Sequence, residues 1–397
     1  MKILHCADLH IRENDLAEID GCLQKIVTTA QEELPGLVVI AGDIFDSRDV
    51  KLDSQSAITA IGFVSALADI CPVAIVIGTP SHDGNAPDIM RYSRGRKYDV
   101  TVSSLPEQLY LYKGALYRRK MVGNLQPEAV LSMIPQPTKR FFQSASDIRT
   151  ADQEIGQAMS VLFVGFRAQA VEYKCPHILV YHGGVSGARL PSGQMRIGLD
   201  IEVSTDQMML ASPDLICMGH IHQKQQIGDR SFYSGPIYAT KIDEQGPNGF
   251  YIHHIPDDPE EHRHVFIETP CKKTVRYTFD YTVSVKPLDD DAENVAGSHV
   301  RIDAKVWQDE VQKIDFDAMK SELLRWGAES VDIRIIRVPR ENVRAEAVLK
   351  AESLREKVQR MAELRSEEIG LSVLLKAEAL ETKPADELFG AITGREA

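Results

Sequence analysis

Aspartate and histidine side chains recur along the chain at spacings that suit a metal centre. Carboxylates and imidazoles at close spacing bind Mn, Fe or Zn, and carboxylates favour the harder ions. Two ions that share a carboxylate activate a water and neutralise charge on a phosphate and on its leaving oxygen. The residue types therefore predict a two-metal centre suited to phosphate esters. In chain order the candidates are Asp8, His10, Asp43, His82, His182, His220 and His222.

Each of these motifs directly follows a segment with the composition of a strand. Several segments are continuous runs of Val, Ile and Leu, as expected for strands buried on both faces. Helical segments alternate with them, over Leu16–Glu33 and Ser54–Ala68, which is the pattern of an α/β layered domain. Ligands in open α/β sheets bind beyond the carboxyl ends of the strands, so we expect the motifs to meet at one edge. The predicted strands are Lys2–Cys6, Gly36–Ala41, Val73–Ile77, Ile178–Tyr181 and Leu215–Met218.

Taken singly, each motif has an ordinary structural explanation. A lone histidine at a strand end more often packs in a core or faces solvent, and Gly-Asp is a common turn. The joint order, the strand-end placement, and Gly42 and Gly219, which allow tight turns beside a metal, favour the metal centre. Strand packing explains His5 and Cys6. We expect the histidines of the later strands to lie at the surface, namely His253, His254, His262 and His264.

The order of the motifs resembles that of the calcineurin-like metallophosphoesterases. Asp-x-His, GDxxD, His-Asp, a single His and GHxH follow one another along the chain. Within that superfamily the chain is similar to the SbcD type of DNA-repair nuclease, in MKILHCADLHI, LVVIAGDIFDSRDV, ICMGHIHQKQ and FYSGPIYATKIDEQGPNGFYI. The likeness covers residues 1–270 well. It implies an α/β fold: a calcineurin-like layered β-sandwich flanked by helices, with a small α+β capping domain and a C-terminal helical tail.

The resemblance also implies a role for each candidate ligand. Asp43 would bridge two divalent ions, for which we expect Mn2+. The further ligands would be Asp8, His10 and His222 on the first ion, and His182 and His220 on the second.

The third motif departs from the family pattern. The family reads Gly-Asn-His followed by Asp or Glu, with the Asn as a ligand of the second metal, whereas residues 78–83 here read GTPSHD. By this resemblance Ser81 takes the ligand position, His82 is the catalytic histidine, and Asp83 orients His82 or its neighbourhood. A hydroxyl is a poorer ligand than an amide carbonyl. Three outcomes are open: Ser81 binds weakly, water replaces it, or the site works only at high metal concentration. We expect two metals to bind.

A helix near Ala151–Val164 is predicted to cover an edge of the sheet. After Ser231, three antiparallel strands are predicted to close the domain, namely Phe232–Tyr233, Phe250–Ile255 and His264–Glu268.

The composition of the chain changes towards its C-terminal part. We predict a nuclease domain over residues 1–270, a small α+β DNA-capping domain over 271–340 and a helical tail over 341–397. An apolar stripe at helical spacing runs through the tail from Ala347 to Met361. It is a candidate ATPase-binding segment, and the alternative is a helix folded back on its own domain.

The composition is that of an ordinary soluble protein, with 43% hydrophobic and 26% charged residues. The formal net charge of -13 argues against bulk electrostatic binding of DNA but leaves room for a local basic surface. Six scattered cysteines without a CxxC pair indicate reduced thiols and predict a cytoplasmic protein. No apolar run reaches the roughly 18 residues of a membrane span, and no membrane association is expected. The candidate DNA-binding residues are Arg91, Arg94, Arg96 and Lys97, with a solvated loop as an equal alternative.

Three functional hypotheses remain open. The first is a metal-dependent exonuclease and endonuclease that acts on DNA ends in double-strand break repair. By resemblance, it would work as a homodimer with an SMC-like coiled-coil ATPase of the SbcC type. The second is a small-molecule phosphodiesterase or phosphatase. The third is an assembly subunit with a weakened active site, and Ser81 is the residue that supports it.

Overall fold

A computed structural model describes most of the chain, in two compact units. The described residues are 1–92, 97–118, 125–138, 148–189, 203–241, 244, 246–284, 292–339, 348, 350–365, 367–382 and 388, without the side chains of 148–155 and 364. One unit comprises Met1–Tyr277, Asp289–Ile302 and Asp317–Ile333, and the other comprises Thr278–Leu288, Asp303–Phe316 and Arg334–Ala397.

The first unit alternates strands and helices up to its closing hairpin. Its strands are β1 (Lys2–Cys6), β2 (Leu37–Ala41), β3 (Val73–Val76), β4 (Val100–Ser103), β5 (Glu107–Tyr112), β6 (Ala115–Tyr117), β7 (Ala129–Ile134), β8 (His177–His182), β9 (Leu215–Gly219), β10 (Gln225–Ile227), β11 (Ser231–Tyr233), β12 (Gly249–His254) and β13 (Arg263–Glu268). The helices between them are α1 (Leu16–Glu33), α2 (Gln55–Ala68), α3 (Ile148–Ala170) and α4 (Thr205–Met209).

These strands form two sheets. The first sheet has six strands in the order β13-β12-β1-β2-β3-β4, and the second has seven in the order β10-β11-β9-β8-β7-β5-β6. Strands β1 to β4 are parallel neighbours, and β12 pairs antiparallel with β1 and with β13. In the second sheet β7, β8, β9 and β11 are parallel. The parallel strands therefore deliver their carboxyl ends to common edges.

Apolar packing stacks the sheets and helices in four layers. Between the sheets, Val39 and Val76 of the first pack in one cluster with Leu131 and Val180 of the second. Helices α1 and α2 cover the other face of the first sheet, and α3 and α4 cover that of the second. Burying each such side chain stabilises the fold by about 1.5–3 kcal/mol relative to exposure. The layered α/β sandwich flanked by helices is thus confirmed.

Local sequence explains where the early helices begin and end. Helix α1 buries Ile19, Cys22, Leu23 and Ile26 along one stripe. It ends at Leu34, whose φ of 49° is left-handed and whose backbone N–H donates to Ala30 O. At the start of α2, the Ser54 side chain accepts a hydrogen bond from Ala57 N at 3.2 Å. The predicted bounds of both helices agree with the structure to within one residue.

Three features differ from the sequence prediction. Strands β4, β5 and β6 were not predicted, because short strands between turns give a weak periodic signal. We expected Phe232–Tyr233 to be an antiparallel strand beside β12 and β13. It lies instead in the second sheet, parallel to β9. Helix α3 was expected to cover a sheet edge, but Phe163 and Phe166 pack on the face of the second sheet.

The remaining elements form a small α+β arrangement and a helical pair. A three-stranded sheet has the order β14 (Lys273–Asp280), β15 (Ser298–Trp307) and β16 (Ser330–Val338). Each of these three strands begins in the first unit and ends in the second. The helices are α5 (Ala292–Val295), α6 (Phe316–Arg325), α7 (Leu354–Arg365) and α8 (Leu371–Thr382). The last two pack on one another and share an ion pair between Arg355 and Glu378.

Across the residues that the structure describes, no helix combines the length and the apolar character needed to cross a membrane.

Candidate metal centre

The carboxyl ends of β1, β2, β8 and β9 meet at one place in the first unit. Asp8 lies just beyond β1, and its backbone N–H donates to Gly42 O, just beyond β2, at 3.0 Å. His182 ends β8 and is the register partner of Gly219, which ends β9. Four of the predicted motifs are thereby brought together from both sheets.

The backbone at this place adopts unfavourable conformations. Seven non-glycine residues within the described ranges have a positive φ. Four of them are candidate ligands, namely Asp8 (52°), His10 (40°), Asp43 (51°) and His220 (99°). Such conformations cost of order 1–3 kcal/mol each and concentrate at functional sites. The fold therefore holds these side chains in place against local strain.

A first donor group contains Asp8, His10 and His222, whose ligand atoms lie within 4.8 Å of one another. The Nε2 atoms of His10 and His222 are 2.9 Å apart. Adjacent ligands of an octahedral ion at about 2.1 Å are about 3.0 Å apart, so one ion can contact both nitrogens. The spacing of this pair fits an octahedral divalent ion.

A second donor group contains Asp43, His182 and His220. His182 donates from Nδ1 to Ala41 O at 2.6 Å, and its Nε2 lies 3.3 Å from Asp43 Oδ2. The same Asp43 oxygen is 3.8 Å from His10 Nε2 in the first group. Asp43 therefore lies between the two groups, where a bridging carboxylate would be.

The hydroxyl of Thr79, rather than that of Ser81 as expected from the sequence, lies beside the second group. The Thr79 Oγ1 atom lies 3.0 Å from Asp43 Oδ2, 3.3 Å from His182 Nε2 and 3.4 Å from His220 Nδ1. Ser81 is exposed, and its backbone O accepts from Arg48 N. The reason is the inserted Pro-Ser pair, which separates the residue after Gly78 from His82. Thr79, directly after that glycine, takes the position that the resemblance assigns to Ser81.

Glycines are required where the backbone passes these side chains. Gly42 has φ 88°, and a Cβ there would lie 2.2 Å from His182 Nδ1. A Cβ at Gly78 would lie 2.2 Å from Asp43 Oδ1. A larger residue at either position would displace a donor group.

Asp83 holds the backbone of the site. Its Oδ2 accepts from Asp43 N at 3.0 Å and from Gly78 N at 2.8 Å, and its Oδ1 accepts from Phe45 N at 3.1 Å. Burial, followed by the charge of Asp43, raises the pKa of Asp83 to about 7. These contacts tie the segments after β2 and β3 together, so Asp83 is a positioning residue.

Glu244 and Thr240 orient His222 and were not identified from the sequence. The Nδ1–H of His222 donates to Glu244 Oε1 at 2.6 Å, and Thr240 Oγ1 is 3.1 Å from that nitrogen. A carboxylate behind a histidine fixes the ring and its tautomer and leaves Nε2 free for a metal. Glu244 is buried although it lies outside any strand or helix, and loop carboxylates give no periodic signal.

His82 lies beside the first donor group. Its Nδ1–H donates to Asp46 O at 2.8 Å, and its ring is 4.8 Å from that of His10, edge to face. The side chain of Asp46 comes within 3.6 Å of His10 Nδ1. His82 is therefore fixed through Nδ1, and Nε2 is its remaining ring nitrogen.

Burial and neighbouring charges set the protonation of the site. Burial is the largest single influence on His182 and disfavours its charge. The charge and hydrogen bond of Asp43, the charge of Asp8 and the hydrogen bond to Ala41 together outweigh it and raise the pKa of His182 to about 9. Burial raises the pKa of Asp8 to about 6. Burial, followed by the charge of His222, holds the pKa of His10 well below its usual range. Without bound ions His10 is therefore neutral, whereas His182 and Asp43 form an ion pair.

One orphaned polar atom supports the fit of a metal ion. Asp8 Oδ2 is buried and makes no hydrogen bond within the described part of the chain. A buried polar group without a partner costs about 1–3 kcal/mol. Because Asp8 belongs to the first donor group, an ion there would satisfy its carboxylate. The mixed carboxylate and imidazole donors suit Mn, Fe or Zn.

The candidate DNA-binding residues are only partly described. Arg91 forms an ion pair with Asp88 at 2.9 Å, and Lys97 is exposed with its Nζ 5.1 Å from the Tyr98 ring centroid. Arg94 and Arg96 lie outside the described residues.

Comparisons with known proteins agree with these features. The sequence model of the calcineurin-like phosphoesterase family matches residues 1–224. A protein of Staphylococcus saprophyticus, named as the SbcD component of the nuclease SbcCD, is 22% identical over 267 residues, and its namesake from Staphylococcus epidermidis is 22% identical over 260. The alignments cover 64% and 62% of this chain. They cover 65% and 63% of the relatives, so less than two thirds of the relatives' length is matched.

Similarities to solved structures are weaker. A GAP50 structure, described as the anchor in the inner membrane complex of Plasmodium, has a TM-score of 0.43 at 10% identity, over 68% of this chain and 85% of that one. A dimetal phosphatase from Danio rerio has a TM-score of 0.40 at 11% identity, over 68% and 96%.

The family match extends over more than half of the chain, and its span contains every candidate ligand predicted from the sequence. Apart from Ser81, those candidate ligands lie together at the strand ends of a layered α/β sandwich. This protein therefore belongs to the calcineurin-like phosphoesterase family, whose members hydrolyse phosphate esters with divalent metal ions.

Proposed function

We propose that this protein is a two-metal DNA nuclease that acts as an exonuclease and endonuclease on DNA ends in double-strand break repair. The observation that carries the proposal is the position of Asp43, between two separate groups of donor atoms. A shared carboxylate is what a pair of ions needs for an attack on a phosphodiester. The preference for DNA rests on the similarity to two nuclease components.

The proposed ligand assignment follows the two donor groups. Bound ions, which we expect to be Mn2+, would supply an activated water and offset charge on the phosphate. Asp43 would bridge them. Asp8, His10 and His222 would hold the first ion, and His182, His220 and Thr79 would hold the second. Thr79 also restrains Asp43, because its backbone N–H and hydroxyl both donate to that carboxylate.

His82 is the proposed catalytic side chain. Its hydrogen bond to Asp46 O fixes the ring with Nδ1 as a donor. The remaining nitrogen, Nε2, is placed to protonate the leaving oxygen or to stabilise the transition state. Asp83 supports this residue indirectly, by fixing the loop from Gly78 that leads to it.

Two features are proposed to bring DNA to the centre. The first is the basic run of Arg91, Arg94, Arg96 and Lys97, which follows His82 in sequence and would contact the phosphate backbone. The second is the small α+β domain over residues 271–340, which would cap the DNA. Both lie close in sequence to the motifs that resemble the nuclease relatives.

A partner ATPase is proposed for the helical tail over residues 341–397. Helices α7 and α8 pack together and leave Leu371, Val373 and Leu375 exposed. We propose that this surface binds an SMC-like coiled-coil ATPase and that the nuclease is a cytoplasmic homodimer. Deleting residues after Asn342 should abolish co-purification with the ATPase and spare basal nuclease activity. Unchanged co-purification would refute the assignment of the tail.

One assay separates the nuclease from its alternatives. The assay uses three substrates: linear duplex DNA, hairpin DNA and bis-para-nitrophenyl phosphate. Each is incubated with manganese and with wild type, His82→Ala or a control variant. The control is His254→Ala, because the side chain of His254 is exposed. The proposal predicts cutting of DNA by wild type and control and a large loss in His82→Ala. Cleavage of the chromogenic ester without DNA cutting would indicate a small-molecule phosphodiesterase. No turnover of either substrate, with ATPase binding retained, would indicate an assembly subunit.

A further inference from the structure

A second group of metal-binding side chains lies in the core, between the two sheets and apart from the candidate centre. It consists of His5 on β1, Cys217 on β9 and His253 on β12, all fully buried. Their donor atoms lie within 4.8 Å of one another. The sequence interpretation of His253 as a surface residue was wrong, since its side chain is completely enclosed. We propose that these three side chains bind a zinc-class ion that links the two sheets.

The spacing of the two imidazoles fits such an ion. His5 Nδ1 and His253 Nε2 are 3.3 Å apart, which is longer than the usual 2.7–3.2 Å of a nitrogen hydrogen bond. Two ligands of a tetrahedral ion at about 2.0–2.1 Å lie about 3.3–3.4 Å apart. Two nitrogens and a thiolate, rather than carboxylates, favour zinc over manganese. Three protein donors leave one position for water.

The outer nitrogen of each ring already has a partner. His5 Nε2–H donates to Met218 O at 3.2 Å, so Nδ1 carries the lone pair. His253 Nδ1 is 2.9 Å from His264 Nδ1, which directs Nε2 towards His5. Metal-binding histidines are commonly held in this way by a second contact. In the tautomer with the proton on His253 Nδ1, the lone pairs of His5 Nδ1 and His253 Nε2 would face one another across a gap of 3.3 Å.

The protonation of the group suits a metal. Burial lowers the pKa of His5 to about 3 and holds that of His253 well below its usual range. Both rings are therefore neutral at physiological pH, as ligands must be. Burial raises the pKa of Cys217, so the thiol is protonated without an ion, and a coordinated thiol loses its proton to the ion. Binding should release one proton per ion from Cys217.

The position of the group gives it a structural purpose. His5 and His253 belong to the first sheet and Cys217 to the second. His5 lies on β1, three residues before Asp8, and Cys217 lies on β9, three residues before His220. An ion at this point would fix the two strands that lead to those candidate ligands. This inference does not depend on the proposed nuclease activity.

The alternative is a metal-free chain of hydrogen bonds. In that chain His264 Nδ1–H would donate to His253, whose Nε2–H would donate to His5 Nδ1. Ion binding requires the opposite polarity at His253, because its Nε2 must then be the lone-pair nitrogen. The two accounts therefore differ in the tautomer of one buried ring and in the involvement of Cys217.

X-ray absorption at the zinc edge tests the proposal on the wild-type protein. The protein is stripped with a chelator and loaded with three equivalents of Zn2+. The candidate centre has no cysteine among its donor groups in the described chain. A sulfur scatterer at about 2.3 Å, beside nitrogen at about 2.0–2.1 Å, is the expected result. A spectrum with only nitrogen and oxygen neighbours would overturn the proposal.

Cobalt substitution identifies the thiolate. Co2+ bound to a thiolate gives a charge-transfer absorption that histidine and carboxylate sites lack. We expect this absorption in wild type, in Asp43→Asn, which removes the bridging carboxylate, and in the control Cys175→Ser. We expect its loss in Cys217→Ala, with zinc content lower by one ion per chain. If Cys217→Ala kept the charge-transfer absorption, the assignment of Cys217 would be contradicted. If wild type lacked the absorption, the assignment would also be contradicted.

Discussion

The carboxylate of Asp83 accepts a hydrogen bond from the backbone N–H of Asp43 at 3.0 Å. This contact joins the loop after β3 to the residue that lies between the two donor groups. The same Asp83 oxygen accepts from Gly78 N, next to Thr79. One buried side chain thus sets the position of the proposed bridging ligand and of its neighbour in the second donor group.

Asp83→Asn should destabilise the fold and misplace Asp43. An amide keeps one acceptor oxygen but turns N–H groups towards backbone N–H donors, so at least one buried hydrogen bond is lost. We expect the free energy of unfolding to fall by about 1–3 kcal/mol. Urea denaturation measures this. The matched control is Asp88→Asn, which breaks a partly exposed ion pair with Arg91 and should cost less than about 1 kcal/mol. Equal losses in both variants would contradict the role of Asp83.

Thr79→Val should weaken binding of the second ion while Ser81→Ala leaves it unchanged. Valine has the shape of threonine but lacks the hydroxyl that contacts Asp43, His182 and His220. A hydrogen bond to a charged group contributes about 1.5–3 kcal/mol, which corresponds to a loss of roughly 10- to 100-fold in affinity. Manganese titration by calorimetry measures the second binding step. If Ser81→Ala rather than Thr79→Val weakened binding of the second ion, Ser81 would be the ligand, as the sequence predicted.

Glu244→Gln should reduce metal affinity at the first ion without unfolding the protein. The amide can still accept from His222 Nδ1–H, but the negative charge behind the ring is gone. Removal of such a partner typically costs 10- to 100-fold in metal affinity or activity. The control Glu261→Gln changes an exposed carboxylate. Manganese dependence of hydrolysis reports the effect, and equal behaviour of the two variants would exclude this role for Glu244.

His177 should make the stability of the metal-free protein depend on pH. Burial lowers its pKa below 6.5, against the raising effect of Asp214, and Ser132 Oγ lies 2.7 Å from its Nε2. The unfolded chain therefore binds the proton more readily. This contribution to stability is complete above pH 6.5 and is lost as the pH falls below it. One such proton changes stability by at most about 1.4 kcal/mol per pH unit.

The test of this pH dependence compares His177→Gln with wild type in the presence of a chelator. The slope of unfolding free energy against pH, between pH 6.5 and 5, should be smaller in the variant. The matched control is His254→Gln, because the side chain of His254 is exposed. If the slope of His177→Gln equals that of wild type, the contribution of His177 is absent.

Much of the fold could be predicted because local signals agreed with tertiary structure. Helix α1 combines an apolar stripe with a clear end at Leu34, and the strands β1 and β2 are short buried apolar runs. Strands β5 and β6 form a hairpin whose sequence mixes polar and aromatic residues, and they carry no such signal. The sheet to which β11 belongs depends on long-range pairing with β9, which no local pattern encodes.

Candidate site residues could be predicted where one short motif carries two of them. They could not be predicted where the fold brings together residues that are distant in sequence or selects between neighbours. Asp8 and His10 share one motif, as do His220 and His222. Thr79 could not be chosen over Ser81, because the inserted Pro-Ser pair shifts the alignment and only the turn geometry shows which hydroxyl faces Asp43. Separation in sequence hid His5, Cys217 and His253 in the same way.

The central claim, that two ions share Asp43, is tested most directly by anomalous diffraction at the manganese edge from crystals soaked in saturating Mn2+. The account predicts two anomalous peaks on either side of the Asp43 carboxylate. One would lie among Asp8, His10 and His222, and the other among His182, His220 and Thr79. A single peak at saturating manganese, or a second peak away from Asp43, would contradict it.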